Sequence, residues 1–355
     1  MAEAATQPSH AIEERLIAAA MAGDQEAFGR LTQPYHRELH VHCYRMLGSF
    51  HDAEDLVQET LLRVWRSLGT FQGRAQFRSW LYKIATNACL KELERHPARV
   101  LVRDFSPQAD PLLPPSPPVA EIVQLEPYPD VILSEQSSDS ADPEALYILR
   151  ESVEIAFLTA IQLLPPRQRA VLILCDVLGW RAAEVAALVG TSIASVNSAI
   201  QRARATLAHG LPGTRREDPR RAVTNEAEQL LLARYIRAWE EGDMDALAVL
   251  LKEDALLTMP PAPNWFQGRT AIAAFFHNFC FSVERKRFRA LPTRANGHPA
   301  CAAYEWNAAA GHYRFSGIML LRIDGDLVAE VIGFGNPALF AAFRLPEVLG
   351  TGARP

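Results

Sequence analysis

The sequence predicts three folded units in series: two all-α domains, the second a helix-turn-helix, and then an α+β domain. Three observations lead there. Apolar residues recur at spacings of three and four, with little proline, over residues 12–96 and again over 144–210. Between these stretches, residues 97–143 are rich in proline and acids and nearly free of bases, a composition that cannot build a core of its own. From residue 226 to 345 a long helical stretch gives way to strand-like runs, and helices followed by strands indicate an α+β domain.

Composition sets the outer bounds. A chain of 355 residues has room for two or three domains, and 49% hydrophobic with 22% charged content is that of a globular protein. The net charge of −5 supplies no basic field, so the chain is not expected to hold nucleic acid unaided. Cys43, Cys89, Cys175, Cys280 and Cys301 are odd in number, scattered and free of any CxxC pair, which suits a reducing cytosol. The opening MAEAATQPSHAIEERL lacks the basic-then-apolar pattern of a signal peptide, and no apolar run approaches the roughly 20 residues that span a bilayer. A cytoplasmic protein without membrane association, metal or cofactor is expected.

Within the first helical domain, residues 52–65 read DAEDLVQETLLRVW. At 100° per residue, Ala53, Val57, Leu61 and Val64 form an apolar stripe with Thr60 and Trp65 at its edges. The opposite face carries Asp52, Asp55, Gln58, Glu59 and Arg66, with Leu62 among them. An apolar anchor ringed by polar groups is how a small protein-binding hot spot is built. The next segment, FQGRAQFRSWLYKIATNACLKELERHP, interleaves Arg74, Arg78, Lys83, Lys91 and Arg95 with Phe71, Phe77, Trp80 and Tyr82. Aromatic faces stack on unpaired bases while cations hold phosphates, the combination wanted for single-stranded DNA. Aromatics at helical spacing are by themselves more often core, and only the order after DAEDLVQETLLRVW favours DNA. Upstream, HRELHVHC sets His36, His40 and Cys43 at the i, i+4, i+7 spacing of a metal site. Leu39, Met46 and Leu47 share that stripe and no fourth ligand stands out, so a packed face is expected instead.

The linker over 97–143 contains AEIVQLEPYPDVIL, in which acids and apolar residues alternate around two prolines. It reads as an extended tether or as a strip that docks on a neighbouring domain. In the second helical domain, RAAEVAALVG is a short helix ending at Gly190, and Thr191 or Ser192 caps the next one. The second helix has Ile193, Val196, Ile200, Ala203 and Leu207 as its expected buried stripe. Two helices joined by a tight glycine turn make either a helical hairpin that only packs or a DNA-binding helix-turn-helix, whose second helix enters the major groove. Its outward face offers Ser192, Ala194, Ser195, Ser198, Gln201 and Arg202, with Asn197 and Arg204 at the margins. A second linker over 211–225 carries Arg215, Arg216, Arg220 and Arg221, either solvated or placed to touch phosphates.

The last domain opens with AEQLLLARYIRAWEEGDMDALAVLL, expected as one helix, and continues to ACAAYEWNA, HYRFSGIMLLRI and LVAEVIGFG, expected as strands. Asp324-Gly325 is the expected hairpin turn. Met259, Trp265, Phe266, Phe279, Tyr304 and Phe334 either line an apolar ligand pocket or fill a core. Asp254, His277, Glu305 and His312 are the candidate proton-transfer groups, but no spacing singles out an acid–base pair.

YRMLGSFHDAEDLVQETLLRVWRSL with FRSWLYKIATNACL, then LPPRQRAVLIL, AEVAALVGTS and QRARATL, resemble the two conserved domains of bacterial RNA polymerase sigma factors of the extracytoplasmic-function group. ARYIRAWEEGDMDAL, PNWFQGRTAI, TRANGHPACAAYEW and GFGNPALFAAF resemble the SnoaL-like tail that a subgroup carries, a curved sheet and helices closing a cone-shaped barrel. The resemblance implies that Asp52, Asp55, Gln58, Glu59 and Leu62 dock on the clamp of the polymerase's largest subunit. It also implies that Arg78, Trp80, Lys83, Asn87 and Lys91 serve the −10 element. Lys91 stands where many relatives are acidic, and Asn197 where relatives commonly have a base. Ser192, Ser195, Asn197, Ser198, Gln201 and Arg202 would serve the −35 element on double-stranded promoter DNA, with the polymerase flap as the partner of that domain. The tail would modulate activity without catalysis, with a possible small-molecule ligand. The competing expectation is a cone-fold enzyme or small-molecule-binding protein whose helical front end merely binds DNA or protein.

Overall fold

The computed structural model describes residues 10–73, 75–95, 106–117, 125–134, 153, 162–210, 225–260, 262–281 and 287–350. Arg74, linker residues 97–105, 118–124 and 135–143, and Arg215, Arg216, Arg220 and Arg221 lie outside the described residues. Contacts divide the chain into two units, Met1–Arg99 with Ser134–Pro212 and Val100–Leu133 with Gly213–Pro355.

Five helices open the first unit: α1 (His10–Met21), α2 (Gln25–Thr32), α3 (His36–Leu47), α4 (Phe50–Ser67) and α5 (Phe77–Arg95). Local chemistry sets their ends. The Asp24 carboxylate accepts from the Ala27 amide at 3.0 Å to cap α2, and the Ser49 hydroxyl accepts from the Asp52 amide at 3.1 Å to cap α4. Helix α3 stops at Gly48, whose φ of 73° is the left-handed stop a side chain resists. Leu39, Cys43 and Met46 of α3, Ala53, Val57 and Val64 of α4, and Phe77, Leu81, Ala85 and Cys89 of α5 are buried as the core of this bundle. The stripe carrying His40 and Cys43 is packed: His40 lies 4.6 Å from the Phe50 ring and Cys43 is fully buried.

The same unit continues with α6 (Pro166–Leu172), which runs into a π-helical turn (Ile173–Val177), then α7 (Ala182–Val189) and α8 (Ile193–Gly210). The α6 side chain Arg169 is only 1% exposed. Its guanidinium donates to the Met46 carbonyl at the end of α3 (2.5 Å), to Gln162 Oε1 (2.6 Å) and to the Gln162 and Leu164 carbonyls (2.9 and 3.2 Å). The negative end of the α3 dipole faces this cation, while burial pulls its pKa down to about 10. The two helical domains read from sequence therefore share one packed unit.

The second unit has α9 (Asn225–Glu241), α10 (Met244–Leu250), β1 (Leu251–Thr258), β2 (Trp265–Gln267), α11 (Arg269–Phe275), β3 (Phe288–Ala295), β4 (His298–Asn307), β5 (His312–Asp324), β6 (Leu327–Phe334), α12 (Leu339–Ala342) and β7 (Val348–Leu349). The strands form one sheet in the order β2-β1-β6-β5-β4-β3, with β7 on β5. The β1–β6 pair is parallel and the others are antiparallel. Bulges within β1–β6, β4–β5 and β5–β6 bend the sheet. Leu231, Leu232, Tyr235 and Trp239 of α9 fill the resulting hollow against Leu257, Phe266, Cys301, Leu321 and Val331. Gly317 sits where a Cβ would lie 2.3 Å from the Phe334 carbonyl oxygen, so this close approach of backbone to backbone requires glycine.

Two details differ from the sequence reading. The single helix expected over AEQLLLARYIRAWEEGDMDALAVLL breaks at Gly242, where φ is 65°, and Asp243 restarts it by accepting from the Ala246 amide at 2.9 Å. The β5–β6 turn is Gly325-Asp326 between the paired Asp324 and Leu327, one residue later than expected. Among the described residues, no single helix is long and apolar enough to cross a membrane.

Candidate functional surfaces

Helix α4 has one covered and one open face. Ala53, Leu56, Val57, Thr60 and Val64 are buried, whereas Asp55, Gln58 and Glu59 are exposed and Asp52 is partly so. Leu62 stands 56% exposed among them. Arg63 forms an ion pair with Glu59 across one helical turn, holding that carboxylate at the rim of the apolar spot. A leucine left in water at the centre of an acidic patch contributes nothing to the fold. An exposed apolar side chain ringed by polar groups is the surface pattern from which protein-binding hot spots are built.

Helix α5 sorts the five residues assigned to the −10 element into two groups. Trp80, Lys83, Asn87 and Lys91 fall within about 80° of one another on the helix, while Arg78 falls on the opposite side. Lys83, Asn87 and Lys91 are exposed in a row one turn apart. Trp80 is partly buried against Phe71 and Phe77, at ring separations of 5.1 and 6.0 Å. Arg78 is the correction: its side chain does not join that row. Its Nε and NH2 donate to both carboxylate oxygens of Glu38, at 3.0 and 2.7 Å for Oε2 and 3.1 Å for Oε1. The guanidinium also lies over the Tyr82 and Trp180 rings, 5.2 and 5.9 Å from their centres. Burial, then the nearby Glu38 charge, raises the Tyr82 phenol's pKa, so it stays a neutral donor and bonds Glu38 at 3.4 Å.

In the helix-turn-helix, α7 ends at Gly190 with φ 69° and α8 turns 102° away from it. Ser192 caps α8: its hydroxyl accepts from the Ser195 amide at 3.1 Å and bonds the Ser195 hydroxyl at 2.9 Å. Val196, Ala199 and Ala203 are buried, and Ile200 and Leu207 are partly buried. Ile193 departs from the expected stripe, being 51% exposed. As the first residue of α8 it has no preceding turn of its own helix to cover it. Ala194, Ser195, Asn197, Ser198, Gln201 and Arg202 are exposed together on the outward side. Arg204 is committed to Asp176, in two hydrogen bonds of 2.9 and 2.8 Å that tie α8 to the turn after α6.

The residues assigned to a ligand pocket do not converge. Phe266 is in the core under α9, stacked on Phe275 at 4.4 Å, and Met259 packs against the same cluster. Trp265, the neighbour of Phe266 in β2, points to the other face because side chains alternate along a strand. Its indole N–H donates to the Ser106 carbonyl at 2.8 Å. Tyr304 donates its hydroxyl to the Pro346 carbonyl at 2.9 Å and meets Phe315 edge-on. Phe334 is buried outside the α9 cluster. Among the proton-transfer candidates, Asp254 and His277 are exposed and Glu305 and His312 are partly buried on β4 and β5.

The linker supplies contacts that the sequence left open between tether and docking strip. Residues 106–117 run along β2: the Ala109 amide donates to the Trp265 carbonyl at 3.0 Å and the Ser116 amide to Asn264 Oδ1 at 2.8 Å. The LEPYPD strip docks on the β3–β4 hairpin, with Leu125 and Tyr128 buried. Asn296 accepts from the Tyr128 amide through Oδ1 at 2.7 Å and returns its own amide to the Tyr128 carbonyl at 2.9 Å. Asp130 accepts from the Gly297 amide at 2.9 Å, and Asn336 of the GFGNP segment donates to Glu126 at 3.2 Å. Asn296 was missed from sequence, although Asn-Gly between strand-like runs is a strong hairpin signal. Glu38 and Trp180 carried no signal of their partnership with Arg78, because charge and ring type do not specify which residue 40 or 100 positions away they meet.

Comparison with known proteins completes the picture. Residues 31–98 match the Sigma-70 region 2 family, 154–207 the Sigma-70 region 4 family and 232–331 the SnoaL-like domain family. The ECF RNA polymerase sigma factor SigG of Mycobacterium tuberculosis is 44% identical over 329 residues, covering 91% of this chain and 85% of that protein. SigM of the same organism is 31% identical over 199 residues, covering 55% of this chain and 83% of SigM. The crystal structure of the Mycobacterium tuberculosis extracytoplasmic function sigma factor SigJ superposes with a TM-score of 0.54 at 22% identity, covering 89% of this chain and all of that one, a likeness of fold.

Proposed function

The chain belongs to the extracytoplasmic-function sigma factors of bacterial RNA polymerase, and from that membership we propose how its surfaces divide the work. The protein directs core polymerase to promoters, so it binds both the core enzyme and promoter DNA. The open face of α4 docks on the clamp of the largest subunit, with Leu62 as anchor and Asp55, Gln58 and Glu59 around it. The row Trp80, Lys83, Asn87 and Lys91 serves the −10 region, where a stacking ring beside cations suits an opened strand. Helix α8 enters the major groove at the −35 element, and its domain sits on the polymerase flap. An acidic chain manages this because the core enzyme supplies most of the electrostatic grip on phosphates.

The C-terminal domain acts as a regulator without chemistry of its own, working through the linker strip it holds. That strip joins the −10 domain to the −35 domain in sequence, so docking residues 106–117 and 125–133 limits how far the two can separate. This work belongs in the cytoplasm, where promoters are. The observation that carries the reading is the 56% exposure of Leu62 inside an acidic patch on a helix buried along its other side.

Run-off transcription tests it. Core polymerase with the full chain should initiate from a promoter selected out of random DNA, and core alone should not. Removal of residues 226–355 should change the amount of product. No initiation by the mixture would refute the assignment of surfaces, and unchanged output after truncation would remove the regulatory role.

A further inference from the structure

Helix α8 is unusual for a groove reader in what its leading end lacks. From Thr191 to Gln201 there is no lysine, arginine, aspartate or glutamate. Arginine or lysine on guanine is the commonest specific base contact, and acids are what accept from cytosine. Neither chemistry is present where recognition helices meet base edges, at their N-terminal residues. The first cation, Arg202, projects about 180° from Ile193 around the helix, and Arg204 is held by Asp176. The Ser192 hydroxyl is already used as the cap and is bonded to Ser195.

What remains at that end is apolar surface, carboxamide and the hydroxyls of Thr191 and Ser198, which bond donor and acceptor edges alike and so discriminate least. Ile193 is 51% exposed, and Asn197 follows one turn later within about 40° of it on the helix. The fold does not ask for isoleucine there: a β-branched side chain lowers helix propensity, and half of this one stays in water. Its chemistry matches the one apolar group in the major groove, the thymine C5-methyl, while asparagine matches the N6 and N7 edge of adenine. The two side chains lie about 6 Å apart along the helix axis, a separation that spans adjoining base pairs.

We propose that Ile193 and Asn197 read an adenine–thymine step in the −35 element, Ile193 against a thymine methyl and Asn197 on the adenine of the adjoining pair. The inference rests on the reading of α8 as the −35 helix. Asn197 would donate through Nδ2 to N7 and accept at Oδ1 from the N6 amino group.

The experiment uses holoenzyme, made from core polymerase and the full chain, on a promoter selected from a library randomised across the −35 region. Each −35 thymine is then replaced singly by deoxyuridine, which removes only the methyl group. One such replacement should weaken binding about fourfold, the worth of one buried methyl. Ile193→Ala should cost about as much on thymine DNA and nothing further on the deoxyuridine promoter, while Ile193→Val keeps most of the effect. Asn197→Ala should relax base choice at the adjoining pair. Penalties that multiply, or a selected element without an A·T step, would overturn the inference while leaving α8 as the −35 helix. A −35 region that tolerates any sequence would remove both. Helix content by circular dichroism serves as the folding control, since alanine is the better helix former.

Discussion

Arg78 and Trp180 meet where the region 2 domain packs on the region 4 domain, the guanidinium carbon 5.9 Å from the indole centre. Glu38 grips the same guanidinium, and Tyr82 completes the cluster with its ring 5.1 Å from Trp180. This contact is therefore made by side chains that cost little to separate one by one and more as a group. The aromatic pair contributes about 0.5–1.5 kcal/mol and the cation over the ring about 0.5–1 kcal/mol. Trp180→Ala should loosen the packing of the two helical domains by about 1–2.5 kcal/mol, read as a larger radius of gyration and faster amide exchange in α5. Transcription at limiting protein should rise if the two domains must part to reach two promoter elements. Unchanged scattering and exchange would show that Arg169 holds them together without help.

Leu62 offers the opposite case, a side chain whose removal should leave the fold alone. Exposed substitutions usually change stability by less than about 0.5 kcal/mol, whereas a hot-spot truncation costs about 2 kcal/mol or more of binding. Leu62→Ala should thus keep the melting temperature and weaken core polymerase binding by more than about tenfold in a fluorescence titration. Asp55→Ala should weaken it less and make the remaining affinity less salt-dependent. A Leu62→Ala protein that binds core like the parent would mean that the exposed leucine has another purpose.

The linker anchor gives a prediction about the second unit. Asn296 is fully buried at φ 53°, a conformation glycine adopts without strain. Asn296→Gly therefore removes the side-chain acceptor while keeping the turn. The Tyr128 amide would then be left buried and unpaired, at a cost of about 1–3 kcal/mol. Amide exchange at Tyr128 and its neighbours should speed up, while protection in β5 stays. Equal loosening of both segments would mean that Asn296 supports the whole sheet and not the docked strip.

What could be read from sequence was whatever depends on neighbours along the chain. The two faces of α4, the Gly190 stop and the Ser192 cap follow from spacing and cap chemistry within one or two turns. What could not be read depends on partners far away. Ile193 fits a helical stripe by spacing, yet at the first position of α8 it stays 51% exposed. Arg78 looked like the exposed cations Lys83 and Lys91 by residue type, and only the packing of α3 brings Glu38 to it. Met259, Trp265, Phe266, Tyr304 and Phe334 share a chemistry, but strand alternation sends them to different faces. In the linker, local composition allowed either outcome, and the buried Tyr128 decided it.

Acid should unfold the first unit through its buried imidazoles. His42 is fully buried between α3 and α5, with Nε2 2.9 Å from the Thr86 hydroxyl. Burial, then the Arg45 and Arg78 charges, pulls its pKa down to about 3, and burial likewise brings His40 to about 4. In the unfolded chain both would titrate near 6.5. A folded pKa below the unfolded one means that protons bind the unfolded chain better. The stability from these two rings is thus complete above about pH 6.5 and lost as pH falls toward 4 and then 3, at about 1.4 kcal/mol per unit for each. Urea midpoints should accordingly drop steeply between pH 6.5 and 4. His42→Gln keeps a hydrogen-bonding group toward Thr86 but cannot take up the proton, so it should flatten that slope by about half while lowering stability at pH 7.5. A slope identical to the parent's would mean that carboxylates, not His42, govern the acid transition.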